Sequence, residues 1–249
     1  MSGHSKWSTI KHKKGREDAK RGKLFAKLSR YITVAAKEGG GNPEMNAALA
    51  AAIAKAKDYN MPIDNIDRAV KRGTGEIEGV VYEQMTYEGY GPDGIAVLVE
   101  LMTDNKNRTA AEIRHIFTRF NGKLGTSGSV AWMFERLGII LVPKGDTDED
   151  TMLDMALEAG ATDMNSEDDI YEIITEPTEL MDVRKGLEEK GLVPNSAELS
   201  MIPKNATELD SDQARRVLKF IDALEENDDV QEVYTNLDIP EELLIELSQ

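Results

Sequence analysis

Apolar residues recur at helical spacing from Asp18 onward: Leu24, Leu28, Ile32 and Ala35 follow one another, with Phe25 and Ala36 beside them. Gly39-Gly40-Gly41 stops this run. Pro43 suits the first turn of a second helix, where its missing N–H is harmless. That helix is Ala-rich through Lys57 and is broken by Asn60 and Pro62. A short third segment carries Ile63, Ile66 and Val70 and ends at Gly73. Three helices with short connections predict a small bundle.

The period then changes from helical to two. Residues 81–90 and 95–102 read as strands around the turn Gly91-Pro92-Asp93-Gly94. An amphipathic helix over 105–120 follows, carrying Ala111, Ile113, Ile116, Phe117 and Phe120. A Gly-rich loop then leads to a short strand from Ser129 to Phe134. Beyond it the chain reads strand (138–143), acidic helix (148–159), two strands (162–164 and 171–175), helix (179–190) and strand (197–202). That β-α-β-β-α-β order is the ferredoxin-like arrangement. A last helix (211–224) and strand (230–234) bury too little alone, so they are expected to return to the earlier strand-and-helix unit. The fold class is therefore α+β and multidomain: an N-terminal three-helix bundle plus two α/β domains, the last inserted in the second. The expected boundaries are 1–77, 78–134 with 205–249, and 135–204.

Charge changes the picture more than composition does. The 249 residues carry a net charge of −16, yet residues 1–73 hold 16 Lys or Arg against 7 Asp or Glu. That portion is +9 and the remainder −25. Such asymmetry points to nucleic acid or to an acidic surface, whatever the mean charge. No apolar run approaches the ~20 residues that span a bilayer, and the N-terminus lacks a signal-peptide core, so no membrane partner is expected and the protein reads as cytoplasmic.

The first helix concentrates the positive charge. Arg16, Lys20, Lys23, Lys27 and Arg30 recur on one face, away from Leu24, Phe25, Leu28 and Ile32, with Arg21 adjoining. No acidic residue interleaves them at i,i+4. Ahead of the helix, residues 2–16 are small, polar and basic. In this arm Lys6, Lys11, Lys13 and Lys14 accompany Trp7, which can stack on an exposed base or pack back on the bundle. These residues are the expected nucleic-acid contacts. Phosphate contacts of this kind position a protein without reading sequence.

Other features carry less. The loop Gly122-Lys123-Leu124-Gly125-Thr126-Ser127-Gly128-Ser129 lacks phosphate-loop spacing and joins helix to strand, the reverse of a nucleotide cradle. It reads first as a turn, with Lys123 able to meet a phosphate. Asp146, Asp148 and Asp150 resemble a calcium-loop opening, but Thr151 and Leu157 occupy its Gly and Glu positions, so helix capping accounts for them. The acids of 145–176 read as a solvated face. With no Cys and three scattered His, there is no metal set, no catalytic constellation and no cofactor motif. The chain is not expected to be an enzyme.

Three stretches resemble the YebC/PmpR family, together with its mitochondrial relative that activates cytochrome oxidase translation. They are Gly3-His4-Ser5-Lys6-Trp7 with Asp18-Ala19-Lys20-Arg21-Gly22-Lys23; Gly39-Gly40-Gly41 with Asn60-Met61-Pro62 and Asn65-Ile66-Asp67-Arg68-Ala69; and Tyr87-Glu88-Gly89-Tyr90-Gly91-Pro92 with Thr103-Asp104-Asn105, Asn107-Arg108-Thr109 and Gly125-Thr126-Ser127-Gly128-Ser129-Val130. The resemblance implies the three-domain fold and a cytoplasmic, non-enzymatic role in gene expression. It leaves two partners open. One is promoter DNA, for a DNA-binding transcriptional regulator. The other is ribosomal RNA, for a ribosome-associated translation factor that relieves stalling at proline-rich stretches.

Overall fold

The computed structural model describes residues 18–167 and 169–248. Helix α1 (Asp18–Gly39) packs on α2 (Ala47–Asp58) and α3 (Ile63–Gly73). Leu28, Ile32 and Ala36 meet Leu49, Ala56, Ile66 and Ala69 in a bundle core with each of these residues buried. Gly40, at φ +85°, ends α1, and Asn46 seals the corner beyond it. The Asn46 side chain donates to the carbonyls of Ala35 and Gly40 and accepts from Leu49 N–H, capping α2. Thus α2 starts at Ala47 rather than at Pro43, because a side-chain cap five residues past Gly41 outweighs proline's preference for a first turn.

Strands β1 (Glu83–Tyr90) and β2 (Ala96–Thr103) form an antiparallel hairpin around Asp93 and Gly94, both at positive φ. Helix α4 (Lys106–Arg119) follows, then the two-residue strand β3 (Lys123–Leu124). The expected strand from Ser129 to Phe134 is not formed. Residues 131–133 make a 3-10 turn, and the next strand, β4 (Phe134–Pro143), begins at Phe134. The apolar residues Val130 and Phe134 are buried beneath the first sheet without pairing in it.

The ferredoxin-like unit comprises β4, α5 (Glu149–Glu158), β5 (Asp163–Glu167), β6 (Ile170–Thr175), α6 (Leu180–Glu189) and β7 (Ser196–Pro203). Its sheet order is β5-β6-β4-β7 with every neighbour antiparallel. Ile140 and Val142 face α5 and α6, while Ile139 and Leu141 are buried on the other side, which is why this strand reads as an unbroken apolar run. Asp148 caps α5, accepting from Thr151 N–H.

The chain then returns. A short strand β8 (Thr207–Glu208) precedes α7 (Ser211–Glu225), and β9 (Val230–Thr235) pairs with β2, giving the first sheet the order β3-β1-β2-β9. Phe220 of α7 meets Phe117 of α4 edge-on at 5.0 Å between ring centres. The parallel pair of β8 with β10 (Leu237–Asp238) and the terminal helix α8 (Glu241–Ser248) were not foreseen. Leu243 and Leu244 of α8 complete the core under α7.

Candidate nucleic-acid interface

The face of α1 opposite the bundle core carries the basic stripe, and the structure gives its described members partners some two hundred residues away in sequence. Lys23 Nζ donates to the Glu226 carbonyl at 3.3 Å and lies 3.8 Å from the Asp228 carboxylate. Lys27 Nζ donates to the Glu225 carbonyl at 3.0 Å, and Arg30 Nη1 to that of Asp228. The acceptors belong to the C-terminus of α7 and the turn into β9. Helix-end carbonyls and acidic side chains there supply negative charge together.

Along this contact exposure is graded. The Lys23 side chain is 59% exposed and that of Arg30 16%. Arg30 ends 3.5 Å from the carboxylate of buried Asp229 and stacks over Tyr82, 5.2 Å from its ring centre. Asp229 Oδ2 accepts from Thr103 Oγ1 at 3.0 Å, Thr109 Oγ1 at 2.7 Å and Arg108 Nη2 at 2.7 Å. Burial pushes its carboxyl up, but the hydrogen bonds from Arg108, Thr109 and Thr103 outweigh burial and the net shift is downward. The motif running from Thr103 to Thr109 is thereby explained as an anchor for Asp229, with Asn105 capping α4. Between the two walls lies a polar cleft of about 520 Å³, lined by Lys23, Arg30, Tyr82, Arg108 and Asp228 among others.

A second contact joins the bundle to both α/β units. Lys55 of α2 sits 2.8 Å from Glu198 of β7 and 2.8 Å from Glu232 of β9. Burial alone would push its ammonium down; Glu198 and Glu232 reverse that and hold it well above the usual lysine value. Nearby, Arg184 of α6 grips Asp58 at the end of α2 through both terminal nitrogens, at 2.9 and 2.8 Å.

A third arrangement shapes the Gly-rich loop. Glu88 of β1 accepts from the backbone N–H groups of Gly128, Val130 and Ala131 at 2.7–2.8 Å. Burial raises its carboxyl and these three donors lower it, with a net downward shift. Two of the sequence motifs, one on β1 and one in the loop, are therefore halves of one clamp.

Of the expected contacts, Lys6, Trp7, Lys11, Lys13, Lys14 and Arg16 lie outside the described residues. Lys20 falls in the first turn of α1, and Arg21 is exposed. Lys23, Lys27 and Arg30 are brought together, against the turn before β9. Sequence reasoning passed over Asp229 and Lys55. Asp229 lies in the polar run Asn227-Asp228-Asp229, which reads as a turn, and Lys55 in an Ala-rich helix; only the topology reveals either. Among the described residues there is no cluster of His, Cys, Asp or Glu able to hold a metal ion, and no helix long and apolar enough to cross a membrane.

Comparison with known proteins gives a consistent result. Residues 5–76 match the TACO1/YebC protein N-terminal domain, and residues 82–237 the TACO1/YebC second and third domain. A probable transcriptional regulatory protein of Rubrobacter xylanophilus is 61% identical over 249 residues, covering 100% of both chains. One of the same description from Halothermothrix orenii is 58% identical over 252 residues, again covering 100% of both. The crystal structure of a conserved hypothetical protein from Aquifex aeolicus superposes with a TM-score of 0.82 at 47% identity, covering 91% of this chain and 94% of that one. The sequence motifs, the three-part architecture and these full-length matches agree: the chain belongs to the TACO1/YebC family.

Proposed function

We propose that this protein is a non-enzymatic, nucleic-acid-binding regulator of gene expression that meets its target through the arm and the outer part of the α1 stripe. The observation that carries this reading is the segregation of charge, +9 over residues 1–73 against −25 over the rest. Arm residues Lys6, Lys11, Lys13, Lys14 and Arg16, with Lys20, Arg21 and Lys23, make the phosphate contacts, and Trp7 stacks on a base. Lys27 and Arg30 join them when the turn before β9 yields. The relatives described as probable transcriptional regulatory proteins support promoter DNA as the target. A second reading, ribosomal RNA, is favoured by the arm itself: a polar basic segment with one Trp suits closely spaced phosphates and unpaired bases better than a regular groove.

Crosslinking in cells followed by sequencing of the bound nucleic acid tests both. Promoter fragments are expected for a transcriptional role and ribosomal RNA for a translational one. Recovery of neither above background would reject the nucleic-acid reading.

A further inference from the structure

The edge of the first sheet, far along the chain from the basic arm, presents two exposed aromatic residues, Tyr90 and Trp132. Tyr90 of β1 pairs directly with Lys123 of β3, so both side chains project from one face of the sheet. Glu88, two residues before Tyr90, projects from that same face and clamps residues 128–131 alongside. The loop in turn orients Trp132, whose Nε1 donates to the Ser129 carbonyl at 3.2 Å.

Trp132 is 66% exposed and Tyr90 40%. The neighbours of Trp132, Ala131 and Met133, pack on the core beneath the sheet, whereas Trp132 does not. A ring that is fixed by its own N–H, yet left in solvent, keeps its π-face for another molecule. Lys123 is exposed and has no ion-pair partner among the described residues. Along the chain, residues 113–134 contain Arg114, Arg119 and Lys123 with no Asp or Glu; the two arginines sit on α4, which packs on the other face of the sheet, so Lys123 is the cation on the side of the Tyr90 ring.

We propose that Tyr90, Lys123, the loop 125–129 and Trp132 form a second contact for single-stranded nucleic acid, in which Trp132 and Tyr90 stack on unpaired bases and Lys123 meets a phosphate. The proposal rests on the nucleic-acid reading above and adds to it a second place, beyond the arm, where unpaired bases are held. Stacking tolerates any base and either sugar, so the shared chemistry is an unpaired base on a phosphodiester backbone. A duplex, whose base faces are already stacked, does not satisfy it.

The chain has two tryptophans, so Trp7→Phe leaves Trp132 as the sole fluorophore. That full-length variant is titrated with a short oligouridylate, the matching oligodeoxythymidylate and a duplex, while anisotropy of a labelled strand reports binding independently. Single strands are expected to quench Trp132 over the concentration range in which anisotropy rises. Trp132→Ala is expected to weaken single-strand binding by about 5- to 150-fold, the measured worth of one stacked base. Quenching by only one of the two single strands upholds the contact and names its sugar. Binding by anisotropy with no quenching, and with Trp132→Ala unchanged, overturns the contact while leaving the arm and stripe standing. Equal quenching by the duplex also overturns it, and absence of any binding by the unsubstituted protein in the anisotropy titration overturns both readings.

Discussion

The bundle grips the rest of the molecule twice, with the same chemistry and opposite consequences. At the Lys55 junction one ammonium serves two carboxylates from two different sheets, and the side chains are only 18–22% exposed. At the outer end of the α1 stripe, Lys23 and Asp228 stand 3.8 Å apart with side chains 59% and 73% exposed. Coulomb attraction at such distances rises several-fold as water is excluded, and salt screens only the exposed pair. The first contact therefore fixes architecture. The second, on the function proposed above, is an exchangeable contact for which a nucleic acid would compete.

The largest effect is expected where the junction loses its cation. Lys55→Met removes the ammonium that Glu198 and Glu232 share, near Glu100, whose carboxyl is already raised by burial and by Glu232. Removing one member of a buried ionic group costs about 3–5 kcal/mol. Urea unfolding should show that loss at neutral pH, and the variant should recover stability as acid neutralises the carboxylates. Adding Glu198→Gln and Glu232→Gln should restore most of it. A single variant as stable as the parent would show that the junction is no tighter than the stripe.

An intermediate effect is expected at Asp229, where the stripe's inner end is rooted. Asp229→Asn removes the charge that Arg108, Thr103 and Thr109 all address, a loss of about 1.5–3 kcal/mol for hydrogen bonds to a charged group. The folded carboxyl is depressed, so its contribution is fully present above the unfolded value of about 3.9 and is lost as pH falls through the lower folded value. The variant should accordingly show a flatter acid limb in stability against pH. An unchanged acid limb would show that the hydrogen bonds from Arg108, Thr109 and Thr103 do not favour the charged form of Asp229.

These two residues also show how far sequence carries. Periodicity located α1, the ferredoxin-like order and the return of β9, because each rests on local spacing or on the need of a leftover strand for a partner. The same spacing placed Lys23, Lys27 and Arg30 on one face, correctly set apart from Leu28 and Ile32. What spacing could not supply was the occupant of that face: only i,i+3 and i,i+4 neighbours are visible along a helix, and the turn at 225–229 is distant in the chain. Val130 to Phe134 misled for a related reason. Val130 and Phe134 are buried on either side of a 3-10 turn under the sheet, and strand and buried coil share one hydrophobic signature. Trp132 passed unremarked in that same run, since nothing local says whether a ring there points in or out.

The smallest change is the most telling for the exchangeable contact. Asp228→Asn removes one exposed carboxylate facing Lys23 and leaves intact the carbonyl that Arg30 uses. Because exposed pairs contribute little, the unfolding midpoint should not move measurably. Nucleic-acid affinity should rise, by up to about fivefold at low salt, since the strand no longer competes with that charge for Lys23. The gain should shrink as the Debye length falls below ~10 Å above 0.1 M salt. Anisotropy titrations at two salt concentrations measure it. Weaker binding by Asp228→Asn would mean that this carboxylate orients Lys23 toward the strand, which would turn the acidic wall of the cleft from a competitor into a positioning element.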